Sequence, residues 1–317
     1  MHRCLIISLF TAVAVAAAGI QPEPAIMSQP RIETAIRLME QFDAHTLADA
    51  DQPPRRYLWT DAFAVCVYLG LARATGNRAW RERALGQVEQ VHHTLGRHRP
   101  DDHRHGWISG LGEAEGEAHP TAGGLRIGKP VPERAPGEPF DERREWDRDG
   151  QYFHYLTRWM HALDQVARVT GEVRYNQWAR ELDATAFRAF TYVPAPLLPR
   201  RRMHWKMSID LSRPLVASMG QHDPLDGYIT TLELRATAAS RASTQPDLAE
   251  ESRKYAAMVR RGNWATDDPL GIGGLLVDAW RVQQLAQQDA EVEPHLFDRL
   301  LDAARSGLAL YVQGGDL

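Results

Sequence analysis

Two short clusters carry more acid–base groups than a turn requires. The first runs Asp147-Arg148-Asp149-Gly150-Gln151-Tyr152-Phe153-His154, and the second is Gln221-His222-Asp223-Pro224-Leu225-Asp226-Gly227. A carboxylate just ahead of a helix is favoured by the exposed backbone N–H groups there, so one aspartate in each cluster has an ordinary use as a cap. The surplus points to proton transfer. Asp149 and Asp223 form the candidate pair, one protonated and one ionised, with His154 and His222 as catalytic partners and Asp61 and Asp226 as reserve carboxylates. Tyr152 offers a base of another kind.

Around these groups stand residues suited to holding a ligand. Trp59 and Asp61 open one apolar segment, Trp107 lies in a long polar stretch, and Trp205-Lys206-Met207-Ser208-Ile209-Asp210 precedes the second cluster. Gln151, Tyr152, Gln221 and Asp226 complete the candidate binding set with Trp59, Asp61, Trp107, Trp205, Lys206 and Asp210. At helical spacing, residues 151, 154 and 155 share one face, and 154, 158 and 161 continue it. An apolar core has no use for Gln and two His on one helix, because buried polar groups are costly unless paired. Lys206 has the plain alternative of a solvated lysine, and Asp61 that of a cap. Asp267 and Asp268, at a fourth acid-led helix start, read as caps.

The elements that must position these groups are helices. Apolar residues recur at helical period over 31–47, 60–74, 79–95, 151–169, 175–190, 214–219, 228–239, 248–260, 273–288 and 294–312. Segment 60–74 is apolar nearly all round while its neighbours are amphipathic, which predicts inner helices alternating with outer ones. Short extended pieces are expected only near Tyr192 and Arg202. An internal repeat marks hairpin turns: Ala72-Arg73-Ala74-Thr75-Gly76 before Trp80 is matched by Ala167-Arg168-Val169-Thr170-Gly171 before Tyr175. Asp223-Pro224-Leu225 and Asp268-Pro269-Leu270 make a weaker echo. Between the third and fourth of these helices, residues 96–148 lack periodicity yet contain Trp107, Ile108, Leu125 and Ile127. They predict an ordered flap over a site, with an extended run through GGLRIGKPVPER.

These turns, aromatic inner helices and acid–aromatic clusters at helix N-ends resemble the six-hairpin (α/α) toroids, a superfamily of glycoside hydrolases, lyase-type domains and sugar epimerases. The resemblance covers 31–312 and implies an all-α ring in one domain, 30–317. Only about ten helices can be counted where a closed ring has twelve, so the ring is expected to be incomplete. The activity implied is glycoside hydrolysis of oligosaccharides, uronic-acid-containing ones included, by a carboxylic acid and a carboxylate. Alternatives are a non-catalytic carbohydrate-binding toroid, or an epimerase or lyase with a His or Tyr base.

Composition narrows the rest. With 317 residues, a formal charge of −4 and no basic runs interleaved with aromatics, the chain has little to offer a nucleic acid. Residues 1–19 have the form of an export signal, with Arg3, an apolar stretch and Ala16-Ala17-Ala18, followed by a linker over 20–29; a start at Met27 is the cytoplasmic alternative. No stable membrane insertion is expected after its removal. Of two cysteines, Cys4 lies in the leader and Cys66 is left alone in an apolar segment, so no disulfide is expected. His92, His93, His98, His103 and His105 lack the spacing of a metal site, and no nucleotide-binding loop or nucleophile elbow is present. The carbohydrate or other small-molecule partner is thus expected to be handled without a metal or cofactor.

Overall fold

The computed structural model describes residues 29–46, 55–194, 201–216, 222–241, 245–260, 262–288 and 290–314. The expected leader, Cys4, Met27 and Gln221 lie outside them. The fold is mostly helical, with a few two- and three-residue strands. Two compact units divide it, Pro30–Val259 and a smaller one from Arg260 onward.

The larger unit contains α1 (Gln29–Thr46), α2 (Leu58–Thr75), α3 (Arg78–Leu95), the short α4 (Glu113–Ala118) and α5 (Glu142–Asp147), β1 (Gln151–Tyr152), α6 (Phe153–Thr170), α7 (Val173–Phe190), β2 (Thr191–Tyr192), β3 (Arg202–Met203), β4 (Lys206–Met207), β5 (Pro214–Val216), α8 (Asp223–Ser240) and α9 (Ala249–Val259). The smaller unit contains α10 (Pro269–Ala286) packed on α11 (Leu296–Gln313). In the larger unit α2 pairs with α3, α6 with α7, and α8 with α9, while α6 also lies against both α2 and α8. The predicted alternation is therefore present locally: α2, α6 and α8 are neighbours, each backed by the helix that follows it.

Helix α6 is the centre of this unit because its apolar residues recur on a wide face. Phe153, Leu156, Trp159, Met160, Leu163 and Val166 are all fully buried. Trp159 also needs a partner for its indole N–H, which donates to His92 Nε2 at 3.1 Å. Helix α2 buries residues most of the way round, from Leu58 to Leu71.

The repeated turns have the same construction. Gly76 and Gly171 take left-handed backbone angles, φ 68° and 81°, and their N–H groups close the helices onto Ala72 O and Ala167 O. In each, the preceding threonine donates its hydroxyl one turn back and accepts from the backbone N–H two residues on, at 3.2 Å for Asn77 and 3.1 Å for Glu172.

Three local expectations are corrected. Residues 214–219 were expected to be helical, but Pro214–Val216 forms strand β5, antiparallel to β4, which is antiparallel to β1. Pro214 lacks an N–H and is accommodated because it sits on an edge strand. Gln151 and Tyr152, expected in the helix, form β1 ahead of it. Helix α8 starts at Asp223 rather than 228, since Pro224 is compatible with a first helical turn. Gly227 is inside that helix because a Cβ there would fall 2.6 Å from the Tyr255 ring.

The long segment 96–150 is ordered, but its extended run is no lid. Leu125 and Ile127 are fully buried, Ile127 N donates to Gly150 O and Leu58 N donates to Ile127 O, so the run is an interior strut between the starts of α2 and α6.

Candidate active site at three helix starts

The N-terminal ends of α2 and α6 and the β3–β4 turn bring six aromatic side chains together. The Trp59 ring lies 5.9 Å from that of His154 and 5.0 Å from that of Tyr155. Trp205 lies nearly parallel to His154, 6.1 Å away, and 5.3 Å from Tyr152, which in turn is 5.3 Å from His154. The Tyr57 and Tyr155 hydroxyls meet at 2.6 Å. Trp59, His154, Tyr155 and Trp205 are half-buried, so parts of these rings face solvent.

The start of α8 brings the acid. Asp223 is 4% exposed, and its Oδ1 lies 3.8 Å from His154 Nδ1. Its Oδ2 has no hydrogen-bond partner among the described residues, and its side chain does not cap the helix. Burial, reinforced by the neighbouring Asp226, pushes the Asp223 carboxyl well above the usual carboxylate range. Asp226, one turn on, is ion-paired with Arg158 at 2.7 Å. Burial pushes His154 down to about 4, against the opposing pull of Asp226. Burial therefore favours the uncharged forms of both Asp223 and His154, beside the Asp226–Arg158 ion pair. That arrangement can deliver a proton to a ligand resting on the rings.

The related tripeptide shows how unusual this placement is. Asp268 of Asp268-Pro269-Leu270 sits at the N-cap and accepts from Gly271 N at 2.9 Å. Asp223 lies one position further in, with His222 at the N-cap, and its carboxyl is released from that duty. His222 is half-buried and adjoins the cluster in sequence.

Of the residues singled out from sequence, Trp59, Tyr152, His154, Trp205, Asp223 and Asp226 meet here, with His222 beside them. Others have structural employment. Asp149 is fully buried, its Oδ2 bound by Arg126 at 2.9 Å and Arg99 at 3.3 Å and its Oδ1 by Gly128 N at 2.9 Å. Gln151 bridges three backbone groups, accepting from Leu125 N and donating to Gly123 O and Ile209 O. Lys206 is fully buried and spends its ammonium on Glu145 Oε1 at 2.9 Å, Glu145 O and Arg148 O, which leaves none for a substrate carboxylate.

Asp61 is held by Tyr57 N at 3.0 Å, Gln87 at 2.8 Å and Arg56 at 3.7 Å, and burial pushes its carboxyl up to about 6. Trp107 is 2% exposed, with the Arg97 guanidinium over its ring. Asp210 is bound by Ser208, Ser212 and Arg104.

Several site residues were not anticipated. Arg158 follows His154 by one helical turn, so the shared face already pointed to it; Tyr57 and Tyr155 flank residues that were chosen. Trp146 and Lys129 gave no signal in sequence. Trp146 is half exposed, 5.1 Å from Trp205 in a T-shaped contact, and Lys129 Nζ lies 5.6 Å from its ring and 5.4 Å from that of Tyr152.

Among the described residues, no group of His, Cys, Asp and Glu is arranged to hold a metal ion, and no helix is long and apolar enough to cross a membrane. Cys66 is half-buried, and burial pushes its thiol up to about 12, far from a reactive thiolate. No protein-family model and no curated protein matches the chain.

Proposed function

We propose that the chain is a carbohydrate-active enzyme, a glycoside hydrolase acting on oligosaccharides from an incomplete (α/α) ring of helical hairpins. The observation that carries this reading is the buried Asp223 carboxyl 3.8 Å from His154, whose ring meets those of Trp59, Tyr152 and Trp205. Flat aromatic faces suit the apolar faces of sugar rings, and a carboxyl kept neutral by burial suits the protonation of a leaving glycosidic oxygen. Asp226, ion-paired with Arg158, is the carboxylate available to stabilise positive charge at the anomeric carbon or to activate water. Asp149, expected to pair with Asp223, has no part in this scheme because it is fully buried and held on both oxygens by Arg99, Arg126 and Gly128 N. An exported enzyme would fit the leader expected over residues 1–19.

A second reading, an epimerase or lyase with a His base, is favoured by the neutral His154 beside the acid. A third, a non-catalytic sugar-binding module, is favoured by the depth of Asp223. Purified protein incubated with a panel of neutral and uronic-acid oligosaccharides separates the three. Reducing-end release that Asp223→Asn lowers by about 10²-fold or more supports the hydrolase. Unsaturated or epimerised products would move the assignment to His154. Sugar binding without turnover would leave a binding module.

A further inference from the structure

The C-terminal ends of α2 and α6 border a cavity of about 520 Å³, which no part of the proposed reaction uses. Trp59 and Arg73 are separated by fourteen residues of one helix, which at about 1.5 Å of rise per residue puts the cavity ~20 Å from the aromatic platform. Its volume lies in the range of sites for small molecules, roughly 300–1,000 Å³. Arg73, Arg78 and Arg81 line it, together with His161 and Gln165. None of the three arginines has a carboxylate partner or other ion pair among the described residues, although Glu82 follows Arg78 by one helical turn.

The duplicated turn supplies an internal comparison. At the second turn Arg168 pairs with Asp164 at 2.7 Å and Arg174 pairs with Glu172 at 2.9 Å. At the first turn, 95 positions earlier, Leu69 and Asn77 stand where Asp164 and Glu172 stand in the second, and Arg81 stands where the second has Asn176. The backbone is the same in both, so the first turn keeps the fold, lacks both acids and gains a guanidinium. Three arginines border one cavity, Arg73 and Arg78 exposed at its rim and Arg81 half-buried, and two of them lie in the first turn of α3, which holds no acid and carries the positive end of the helix dipole. A bound anion would offset this local excess of positive charge.

We propose that this cavity binds a small organic anion through Arg73, Arg78 and Arg81, a ligand bearing a phosphate or a carboxylate. Guanidinium forks suit both groups, because each offers paired oxygens. His161, hydrogen-bonded to Glu233 at 3.0 Å, closes one side of the cavity.

Calorimetric titration of the full chain with inorganic phosphate, with glucuronate and with neutral glucose tests this at low ionic strength. Phosphate or glucuronate is expected to bind at least 10-fold more tightly than glucose, and whichever is the tighter identifies the phosphate or the carboxylate as the group recognised. Arg78→Gln combined with Arg81→Gln is expected to weaken that binding at least 10-fold, and Arg174→Gln at the second turn to leave it unchanged. Asn77→Glu, which places an acid where the second turn has Glu172, is expected to weaken it similarly in a chain that still folds and melts slightly lower, since Asn77 caps α3 through Ala79 N. Equal affinity for all three probes, an unaltered affinity in both first-turn variants, or an equal loss in Arg174→Gln would overturn the proposal.

Discussion

Asp149 binds two guanidinium groups and two backbone N–H groups in a space closed to solvent, and its charge is what makes them compatible with burial. Removing that charge leaves Arg126, itself 6% exposed, without compensation. Asp149→Asn is therefore expected to lower stability by about 3–5 kcal/mol, the usual cost of breaking a buried ion pair from one side; a chemical denaturation curve within 1 kcal/mol of the wild type would contradict the clamp. Asp223 differs because nothing donates to its Oδ2. Both aspartates occur in dense polar clusters, and in sequence those clusters looked equivalent. What separates them is Arg99 and Arg126, which arrive from up to 50 positions away, and no local spacing could announce that. His154, Asp223 and Trp205 were legible because each occupied a position where an ordinary cap or core residue would have sufficed.

At the scale of the element, the hairpin turn is the unit that repeats. Gly76 and Gly171 have the same backbone handedness and the same closing hydrogen bond, so Gly76→Ala and Gly171→Ala are expected to cost about 1–2 kcal/mol each, from the left-handed strain alone. Neither position would crowd an added Cβ, since nothing lies within 4 Å at Gly76 and only the Arg241 guanidinium, at 3.9 Å, is near Gly171. Thermal melts of the two variants should therefore shift by similar amounts. The helices themselves were readable from period and from these turns. Of the short strands, those at Tyr192 and Arg202 fall where extended pieces are expected, whereas β1 and β5 do not, because two- and three-residue pairings have no alternation to detect and exist only through partners distant in sequence. Helix α8 was read as starting late because Asp-Pro-Leu-Asp-Gly has the composition of a turn, whereas its proline occupies the one helical turn that tolerates it.

For the whole molecule, opposing protonation equilibria meet in one pH range. Burial pushes His92 down to about 3 and His154 to about 4, so the unfolded chain takes up their protons below about 6.5 and stability falls as pH drops from there toward 4. Burial pushes Asp61 up to about 6 and Asp183 to about 7, and those groups do the reverse: the folded chain takes up their protons first, so stability rises as pH drops from 7 toward 4. Asp223, raised by burial as well, adds to the carboxyl side, so the midpoint of thermal unfolding is expected to rise as pH drops from 6.5 toward 4. His154→Gln should steepen that rise; an unchanged slope in that variant would show that His154 titrates normally.

The strut formed by residues 123–128 has a kinetic meaning. Its backbone joins the C-terminal end of α3, the start of α2 and the residue preceding β1, through Arg126 N to Leu95 O, Leu58 N to Ile127 O and Ile127 N to Gly150 O. Helical hairpins form from local contacts and are fast, but these three bonds close loops of roughly 20 to 70 residues, whose entropy must be lost before α2 and α6 can complete their packing. Closing these loops is therefore expected to be slower than forming any of the helices they join.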